Sequence, residues 1–454
     1  MPVLDGAETR STKVARSGTD GMVSSSEIRM KRSSEHHRIR RAPTVAFATI
    51  ALLSAVTAAS SARADAQPGV AAQTSAAQIS AGAVNAFGAD LLAAELTRAP
   101  QANVAVSPWN VDMALAMLRA GARGQTAAEM DRVLHVTDPA AAPTQARALE
   151  RELAGREQTV EVNGRRSSVQ FAPADRVFTQ HDLALVPAFV EQLGTQFGAT
   201  IGKVDYRHAP DRARSTIDDW VSTRTHGSIP QLLAPGSLDA STRVVLVSAL
   251  YLHADWRTPF EKGFTASGRF HAPTKQVTAQ FMSSDRETGY AAGPDWQAVE
   301  LPYVGKQLVL DVIVPTAGNA QDAAGVVSAF VTHPPHFTDS SVSLTIPKFH
   351  LHTTFSLGRV LTDLGMRSVF GNQADFSGLT TATPVTVAKV IHQVDISVDE
   401  QGTTAAAATA VDGKSGDALP QHDVTADHPF FYVLRDRPTG VVIFAGEVND
   451  PTAH

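Results

Sequence analysis

The first residues whose types and spacing could do chemistry are two pairs of histidines. His350 and His352 are two positions apart, so on a β-strand their imidazoles would lie on one face and could bind a metal ion. No third ligand is suggested nearby, and an exposed polar strand face accounts for both. His333 and His336 flank two prolines, which favours a loop. The sequence therefore predicts no metal site and no cofactor.

Motifs of known enzyme classes are also missing from the sequence. It contains no Gly-x-Ser-x-Gly, no Walker loop, no His-Glu-x-x-His and no Gly-x-Gly-x-x-Gly. Ser, His and Asp are plentiful, but no spacing among them indicates a catalytic triad. The chain has no cysteine, which excludes disulfides and thiol chemistry. We predict that the protein is not an enzyme.

A stretch near the C-terminus could take part in chemistry in another way. From Gly402 to Val411 the chain has no charge and nothing larger than Thr or Val, and there is no proline between Pro384 and Pro420. An alanine-rich run of this kind fits a solvated linker or a short helix. It also fits a segment that slides between two strands and becomes a strand, since every backbone N–H could donate. The residues around the stretch must decide between these interpretations.

The N-terminus is typical of a processing segment. Basic residues up to Arg41 precede an apolar run over 44–59 and a small-x-small cleavage site at 62–64. We expect 1–64 to be an N-terminal extension and signal peptide, with Met30 as a possible true start. The protein would then be exported, to the periplasm or the extracellular space, and would have no membrane contact after signal removal.

The charge balance after this cleavage argues against some partners. The whole chain has 39 Lys and Arg residues and 45 Asp and Glu residues, and the segment 1–64 holds 10 of the basic and 5 of the acidic ones. The remaining chain therefore has 29 basic and 40 acidic residues, a formal net charge of −11. Such a charge disfavours nucleic acid as a partner. We expect residues 65–77 to be a linker and 78–454 to be a single domain, because no repeat and no change in composition divides it. We also expect a monomer.

The elements that position the stretch follow from periodicity. The apolar run 244–252 is typical of a strand buried on both faces, and Val385 to Asp399 predicts another long strand just before the stretch. Helical spacing is visible from Ile79 onward, and Thr354 to Leu364 is predicted as a helix. The fold class is mixed α/β, of the α+β type.

Several motifs in order resemble those of the serpin family over about residues 78 to 451. They are Asn103-Val-Ala-Val-Ser-Pro-Trp-Asn110 with its following helix, Ile217-Asp-Asp-Trp-Val221, Thr242-Arg-Val-Val-Leu-Val-Ser-Ala-Leu-Tyr251 with Trp256, and His428-Pro-Phe-Phe-Tyr-Val-Leu434 with Phe444-Ala-Gly-Glu-Val448. The resemblance implies three β-sheets, about nine helices and an exposed reactive-centre loop.

The resemblance also implies a function. A serine protease, or a papain-like cysteine protease, would cleave the loop and be trapped as a covalent acyl complex while the loop inserts into the main sheet. The alternatives are a non-inhibitory binding protein on the same fold and a protease substrate without trapping. Non-inhibitory members tend to carry proline, charge or bulk in the hinge, and this chain does not. The hinge residues implied are Glu400, Gly402, Thr403, Thr404, Ala405, Ala406, Ala407, Ala408 and Thr409.

The scissile bond is left open among three candidates. The family's usual spacing from Glu400 gives Gly416–Asp417, whereas Lys414–Ser415 has the chemistry that a trypsin-like enzyme prefers. Counting back from Pro429 favours either Lys414–Ser415 or Ala418–Leu419. We favour Gly416–Asp417, because the insertion depends on loop length.

A buried cluster under the opening strands is implied as well, formed by Ser107, Asn110, Ser248 and His392, with Trp256 at the upper end of the sheet. The family usually has Asn at position 248 and Ser at position 110. We hypothesise that positions 110 and 248 have exchanged roles, so that the Asn110 amide forms the hydrogen bond to His392 directly. Core filling by Asn110 is the alternative.

Overall fold

The computed structural model describes residues 74–162, 164–316, 320–381, 385–403 and 419–453. The expected signal segment therefore lies outside the described residues. So do the hinge positions Thr404, Ala405 to Ala408 and Thr409, and the scissile-bond candidates Lys414, Ser415, Gly416, Asp417 and Ala418. Leu419 is described, and its side chain is exposed.

Eight α-helices lie in the described residues, where about nine helices were expected. They are α1 (Ala76–Arg98), α2 (Pro108–Gly121), α3 (Gly124–Val133), α4 (Ala142–Ala154), α5 (Pro187–Phe197), α6 (Pro210–Arg224), α7 (Ala320–Thr332) and α8 (Gly358–Leu364). Helix α1 is long and apolar enough to span a bilayer by length and composition. Its buried residues, which include Phe87, Leu91 and Leu92, pack in the core instead.

The strands are β1 (Val104–Val106), β2 (Gln158–Val162), β3 (Arg165–Gln180), β4 (Gly202–Val204), β5 (Val244–Asp255), β6 (Thr265–His271), β7 (Gln276–Ala292), β8 (Trp296–Pro302), β9 (Leu308–Pro315), β10 (Thr338–Pro347), β11 (Phe349–Ser356), β12 (Lys389–Val398), β13 (Gly402–Thr403), β14 (His422–Thr425), β15 (Phe430–Asp436) and β16 (Val442–Val448). Together with the helices they make a mixed α/β fold, as predicted.

The main sheet has seven strands in the order β11-β12-β13-β5-β3-β2, with β4 attached to β3. A second sheet of nine strands has the order β1-β16-β15-β9-β8-β7-β10-β14, with β6 attached to β7. The long strand β7 joins two parts of this second sheet, because β6 and β10 pair along it while β8 pairs with its C-terminal end. Two of the three expected sheets are thus hydrogen-bonded into one.

The main sheet separates two hydrophobic clusters, and β5 contributes to both. Alternate residues of a strand point to opposite faces. Leu246 and Leu250 therefore join the large core that contains α1 and α2, while Val245 and Val247 join a smaller core covered by α6. All residues from Val244 to Leu250 are buried. The continuous apolar run of β5 is explained by this two-sided burial.

Two local predictions were wrong. The linker was predicted to extend to residue 77, but α1 begins at Ala76, where Ser75 and Gln78 form a reciprocal capping box. The predicted helix from Thr354 to Leu364 is helical only from Gly358. Residues up to Ser356 extend β11, because they pair with β12 and this tertiary pairing overrides local helix propensity.

Candidate functional site

The candidate site is the place where strands β5 and β12 separate. They pair directly in parallel register from Lys389↔Val245 to Val394↔Leu250. Toward the end of the sheet the short strand β13 lies between them, with Thr403 paired to Val398 on one side and to Ala254 on the other. The chain that leaves β12 therefore turns back at once and begins a new antiparallel strand inside the sheet.

A tight turn produces this reversal. The Asp399 carboxylate accepts hydrogen bonds from the backbone N–H groups of Gln401 (2.8 Å) and Gly402 (3.3 Å), and the Asp399 N–H donates to the Gly402 carbonyl (3.0 Å). An Asp side chain that bonds the backbone two residues later is a common turn device. Asp399 is thus a positioning residue that the sequence analysis missed.

Gly402 is required for this geometry on two grounds. Its φ is +155°, a backbone conformation that side chains disfavour. A Cβ at this position would lie 2.1 Å from the Ala254 carbonyl oxygen and 2.8 Å from Asp255 Cα. Both contacts are with the backbone of β5, which cannot move aside as a side chain can. Only glycine lets the turn enter the sheet here.

Trp256 holds the turn from the side of β5. Its backbone N–H donates to the Gln401 carbonyl (2.8 Å), and its indole N–H donates to the Asp399 carbonyl (2.9 Å). The ring is buried and stacks on Tyr303, with centroids 4.4 Å apart and planes 10° apart. Trp256 was predicted from the resemblance, whereas Tyr303 was not.

Glu400 is held by an ion pair with Lys348, in which the carboxylate is buried and the ammonium is partly exposed. It is 4% exposed, and its carboxylate accepts hydrogen bonds from the Lys348 ammonium (2.8 Å) and from the Thr265 hydroxyl (2.9 Å). Burial by itself would raise the pKa of Glu400, but these hydrogen bonds outweigh it and hold the pKa below its usual value. The Glu400 carboxylate therefore stays ionised although it is buried. Lys348 and Thr265 come from distant parts of the chain, so sequence spacing gave no signal for them.

The cluster predicted from the resemblance is brought together beneath the directly paired part of β5 and β12. Ser107, Asn110, Ser248 and His392 are all fully buried, and His392 pairs with Ser248 across the two strands. The Ser107 backbone N–H donates to His392 Nε2 (3.0 Å), and the Ser107 hydroxyl donates to the Ile443 carbonyl (2.7 Å). The start of α2 is thereby bonded to β12 and to β16.

The predicted direct bond between Asn110 and His392 was wrong. The Asn110 amide donates to the Ser248 hydroxyl (2.8 Å), and His392 Nδ1 lies 3.3 Å from that hydroxyl and 3.3 Å from the Ser248 carbonyl. Ser248 therefore connects Asn110 to His392, because its short side chain leaves room for the longer amide between helix and strand. The Asn110 carbonyl oxygen has no partner among the described residues.

The protonation state of His392 follows from this arrangement. Burial lowers the pKa of His392 to about 4, so the ring is neutral at pH 7. Since Nε2 accepts from Ser107, the ring proton is on Nδ1, which donates to Ser248. One neutral imidazole thus connects α2, β5 and β12.

Asp175 belongs to the same cluster, although the sequence analysis did not identify it. It lies on β3 opposite Ser248 and is hydrogen-bonded to the Ser248 side chain. Burial raises the pKa of Asp175 well above its usual value, and the bond from Ser248 opposes this only in part. Its Oδ1 atom is buried and has no partner among the described residues. A half-buried carboxyl group with a raised pKa makes the cluster sensitive to pH.

His350 and His352 lie on one face of β11, as predicted, and share a carboxylate. His350 Nε2 and His352 Nδ1 each lie 3.1 Å from an oxygen of Asp395 on β12. Across the parts of the chain that the structure describes, no group of three or more His, Cys, Asp and Glu residues could hold a metal ion. The two histidines therefore connect β11 to its neighbour β12 through Asp395.

Comparisons with known proteins agree with this geometry. Residues 82–451 match the family described as Serpin (serine protease inhibitor). A leukocyte elastase inhibitor from Bos taurus is 30% identical over 376 residues, which cover 80% of this chain and 97% of that protein. An uncharacterized serpin-like protein from Thermococcus kodakarensis is 32% identical over 355 residues, which cover 77% of this chain and 81% of that protein.

Solved structures show the same fold. Serpin48 from the insect Tenebrio molitor, described as highly specific, has a TM-score of 0.73 and 27% identity, covering 82% of this chain and 98% of that one. Uncleaved ovalbumin has a TM-score of 0.72 and 20% identity, covering 82% and 99%. Thyroxine-binding globulin in complex with thyroxine has a TM-score of 0.73 and 22% identity, also covering 82% and 99%. The last two likenesses concern the fold alone.

Proposed function

The chain belongs to the serpin family, and we propose that it is a suicide-type inhibitor that traps serine endopeptidases by inserting its cleaved reactive-centre loop between β5 and β12. Membership in the family, together with relatives named elastase inhibitors, supports serine protease inhibition in general. The observation that carries the mechanism is the position of β13, which already occupies the first two places of the new strand.

The path of insertion follows from the register. Gly402 and Thr403 pair with Asp255 and Ala254, so each further residue would run down β5 and separate it from β12. The six direct pairs between Lys389 and Val394 and their partners on β5 would be replaced by pairs on both sides of the new strand. The sequence after Thr403 is uncharged and small up to Val411, so it could enter without burying an unpaired charge.

The energy available from insertion is large enough for trapping. About a dozen new ladder hydrogen bonds, each contributing roughly 0.5–1.5 kcal/mol net, amount to between several and more than ten kcal/mol. That free energy would make insertion effectively irreversible and could distort a tethered protease. The intact form is then metastable, because this energy is released only after cleavage.

The direct pairing of β5 and β12 provides the barrier in the intact protein. The bonds of Ser248 and His392 cross these strands at the middle of the paired region. They must break before the loop can pass. The cluster would therefore set the rate of spontaneous insertion, while the turn at Asp399 to Gly402 would set where insertion begins.

The target and its bond are part of the proposal. We propose Gly416–Asp417 as the scissile bond on loop length, with Lys414–Ser415 and Ala418–Leu419 as the alternatives. Mass spectrometry of the C-terminal fragment released by trypsin and by an elastase distinguishes the three.

A serine protease is the proposed partner, and a papain-like cysteine protease is a second one. Export to the periplasm or the extracellular space, by way of the segment 1–64, also belongs to this proposal.

The decisive experiment is complex formation with a small panel of serine proteases, followed by SDS gel electrophoresis. The wild type is expected to give a band of protease plus inhibitor that survives boiling. Thr403→Arg, which would bury a charge at a position 1% exposed, is expected to be cleaved without forming the band. Thr223→Arg, at an exposed position on α6, is the matched control and should behave as the wild type does.

Two outcomes would contradict the proposal. Cleavage of the wild type without any stable band would indicate a substrate or a non-inhibitory binding protein on the same fold. A nicked protein that melts at the same temperature as the intact one would show that no free energy is stored in the intact form. Either result would leave family membership unchanged and remove the trapping mechanism.

A further inference from the structure

A cavity of about 660 Å³ lies between α1, α2 and the segments that follow them, remote in sequence from the hinge. Its walls include residues of α1, α2, α3, α4 and α5. Cavities of this size commonly hold small organic ligands. The feature that points to a ligand is a single side chain in its wall.

Asp112 lines this cavity on α2 and has no partner. The residue is 8% exposed, and its carboxyl group makes no hydrogen bond or ion pair with any described residue. Burial raises the pKa of Asp112 to about 7, and no neighbouring charge opposes the shift. Neither carboxylate oxygen is among the fully buried polar atoms that lack a partner, so the carboxyl group is accessible from the cavity. A ligand with a donor group would supply the missing partner.

The cationic side chains that line the same cavity are either hydrogen-bonded to other protein groups or exposed to solvent. Arg119 donates two hydrogen bonds to Asp131, at 2.6 and 2.7 Å. Arg123 donates to the carbonyl oxygens of Ala120 and Ala122, and Arg132 is exposed. His135, which also lines the cavity, lies 2.8 Å from an oxygen of Asp90. Among the described charged side chains of the wall, the buried one without a protein partner is therefore Asp112, an acid. This asymmetry favours a basic ligand over an acidic one.

The cavity wall also contains apolar side chains. Ala116 follows one turn later on α2, so its side chain lies on the same face of the helix. Ala83 of α1, Leu134 and Phe197 also line the cavity. An acidic group in a wall that also contains apolar side chains matches a molecule with a basic end and a hydrocarbon body.

We propose that this cavity binds a small amphiphilic amine, whose ammonium group pairs with Asp112 and whose apolar body packs against Ala83, Ala116 and Phe197. The contact is a charge-assisted hydrogen bond in a largely desolvated place, where such bonds are strongest. The apolar body contributes by burial. Binding does not depend on the inhibitory mechanism, because the site shares no residue with the hinge.

The test uses n-hexylammonium as the probe, with hexan-1-ol and hexanoate as comparators of the same length. Binding to the intact protein is followed by calorimetry and by ligand-observed NMR at pH 8. We expect saturable binding of hexylammonium that is at least tenfold tighter than that of hexanol, and no binding of hexanoate. The affinity for hexylammonium should fall between pH 8 and pH 6, since Asp112 becomes protonated in that range.

Three variants make the result specific. Asp112→Asn should weaken hexylammonium binding at least tenfold, abolish its pH dependence and leave hexanol binding unchanged. Ala116→Phe should place a ring beside Asp112, where the ligand's apolar body is proposed to pack, and abolish binding of both. Asp219→Asn, which removes an exposed carboxylate on α6, should change nothing.

The proposal is overturned by any of three results. These are no saturable binding of hexylammonium to the wild type, equal binding of hexanol and hexylammonium, and an unchanged affinity for hexylammonium in Asp112→Asn. Circular dichroism of each variant confirms the fold. Should Asp112→Asn fail to fold, loss of hexylammonium binding in Ala116→Phe and the wild-type pH profile decide the matter.

Discussion

The hydroxyl oxygens of Tyr303 and Thr403 lie 2.6 Å apart in the interior of the protein. Tyr303 is fully buried, and burial raises its pKa far above the usual value, so the phenol stays protonated. Thr403 is the second residue of the inserted strand β13. One hydrogen bond therefore connects β13 to the aromatic pair of Tyr303 and Trp256.

Tyr303→Phe tests this connection. The stacking on Trp256 remains, but the Thr403 hydroxyl loses its partner. We expect the unfolding transition to shift by about 1 kcal/mol toward lower stability, because a buried hydroxyl is left unpaired. Urea titration followed by Trp fluorescence measures the shift. Tyr290→Phe, which loses a part-buried bond to Gln297, is the control for removal of a phenol and should shift the unfolding transition less than Tyr303→Phe does.

Gly402→Ala should disturb the entry of the loop into the sheet. The new methyl group would meet the Ala254 carbonyl at 2.1 Å and adopt a disfavoured φ, so β13 must leave its place. We expect a loss of stability of the order of 1–3 kcal/mol. We also expect a larger fraction of the protein to be cleaved as a substrate, measured as the molar ratio of inhibitor needed to abolish protease activity.

The matched control for Gly402→Ala is Gly194→Ala. Gly194 lies inside α5, and a Cβ there would meet no atom within 4 Å. This variant should be unchanged or stabilised by about 0.5–1 kcal/mol, because alanine favours helix. An unchanged inhibition ratio in Gly402→Ala would show that insertion does not begin at this turn.

Asn110→Ala should accelerate spontaneous insertion of the uncleaved loop. The hydrogen bond from the Asn110 side-chain amide to the Ser248 hydroxyl is lost, so β5 is held less firmly to α2. The barrier to separation of β5 and β12 should fall by about 1 kcal/mol, a rate increase of roughly fivefold. Loss of inhibitory activity during incubation at elevated temperature measures the rate. The same half-life as the wild type would favour the interpretation that Asn110 only fills space.

Asp175→Asn should raise stability at neutral and alkaline pH. The pKa of Asp175 is raised in the folded state, so its contribution to stability is present below the unfolded pKa of about 3.8 and is lost as pH rises through the folded pKa. An amide cannot ionise and avoids this loss. We expect the variant to unfold at higher urea concentration than the wild type at pH 8 and at nearly the same concentration at pH 4.

His392 provides an internal reference for this pH profile. Its folded pKa is about 4 against 6.5 in the unfolded chain, so its contribution is present above pH 6.5 and is lost as pH falls toward 4. That acid-side loss should persist in Asp175→Asn. Asp219→Asn should follow the wild-type profile throughout. A profile of Asp175→Asn identical to that of the wild type would mean that the carboxyl group is not buried in solution.

Some features of the fold could be predicted because they depend only on residues that are close together in the sequence. The apolar run of β5 indicated a strand buried on both faces, and the structure has it so. The insertion of the small uncharged residues after Thr403 stays a prediction, because they lie outside the described residues. The choice of Ser107, Asn110, Ser248, His392 and Trp256 came from a resemblance, not from spacing, and the structure brings the first four together.

Other parts of the site depend on contacts between residues far apart in the chain. Lys348 and Thr265 reach Glu400, and Tyr303 reaches Thr403, across separations of 52 to 135 residues that no local pattern encodes. The same holds for Asp175, whose pKa depends on burial against Ser248. The direct bond expected between Asn110 and His392 was wrong because it required a distance between helix and strand that only packing sets.

The sequence alone determined which segment is small, uncharged and free of proline, and therefore which segment we propose to insert as a strand. The tertiary structure decided where the residues just before it, Asp399 to Thr403, lie between β5 and β12. The position of Gly402 depends on its close approach to the Ala254 carbonyl, and the hydrogen bonds of the buried cluster join α2, β5 and β12. Such distances arise only when the whole core is packed, because each is the sum of many side-chain contacts.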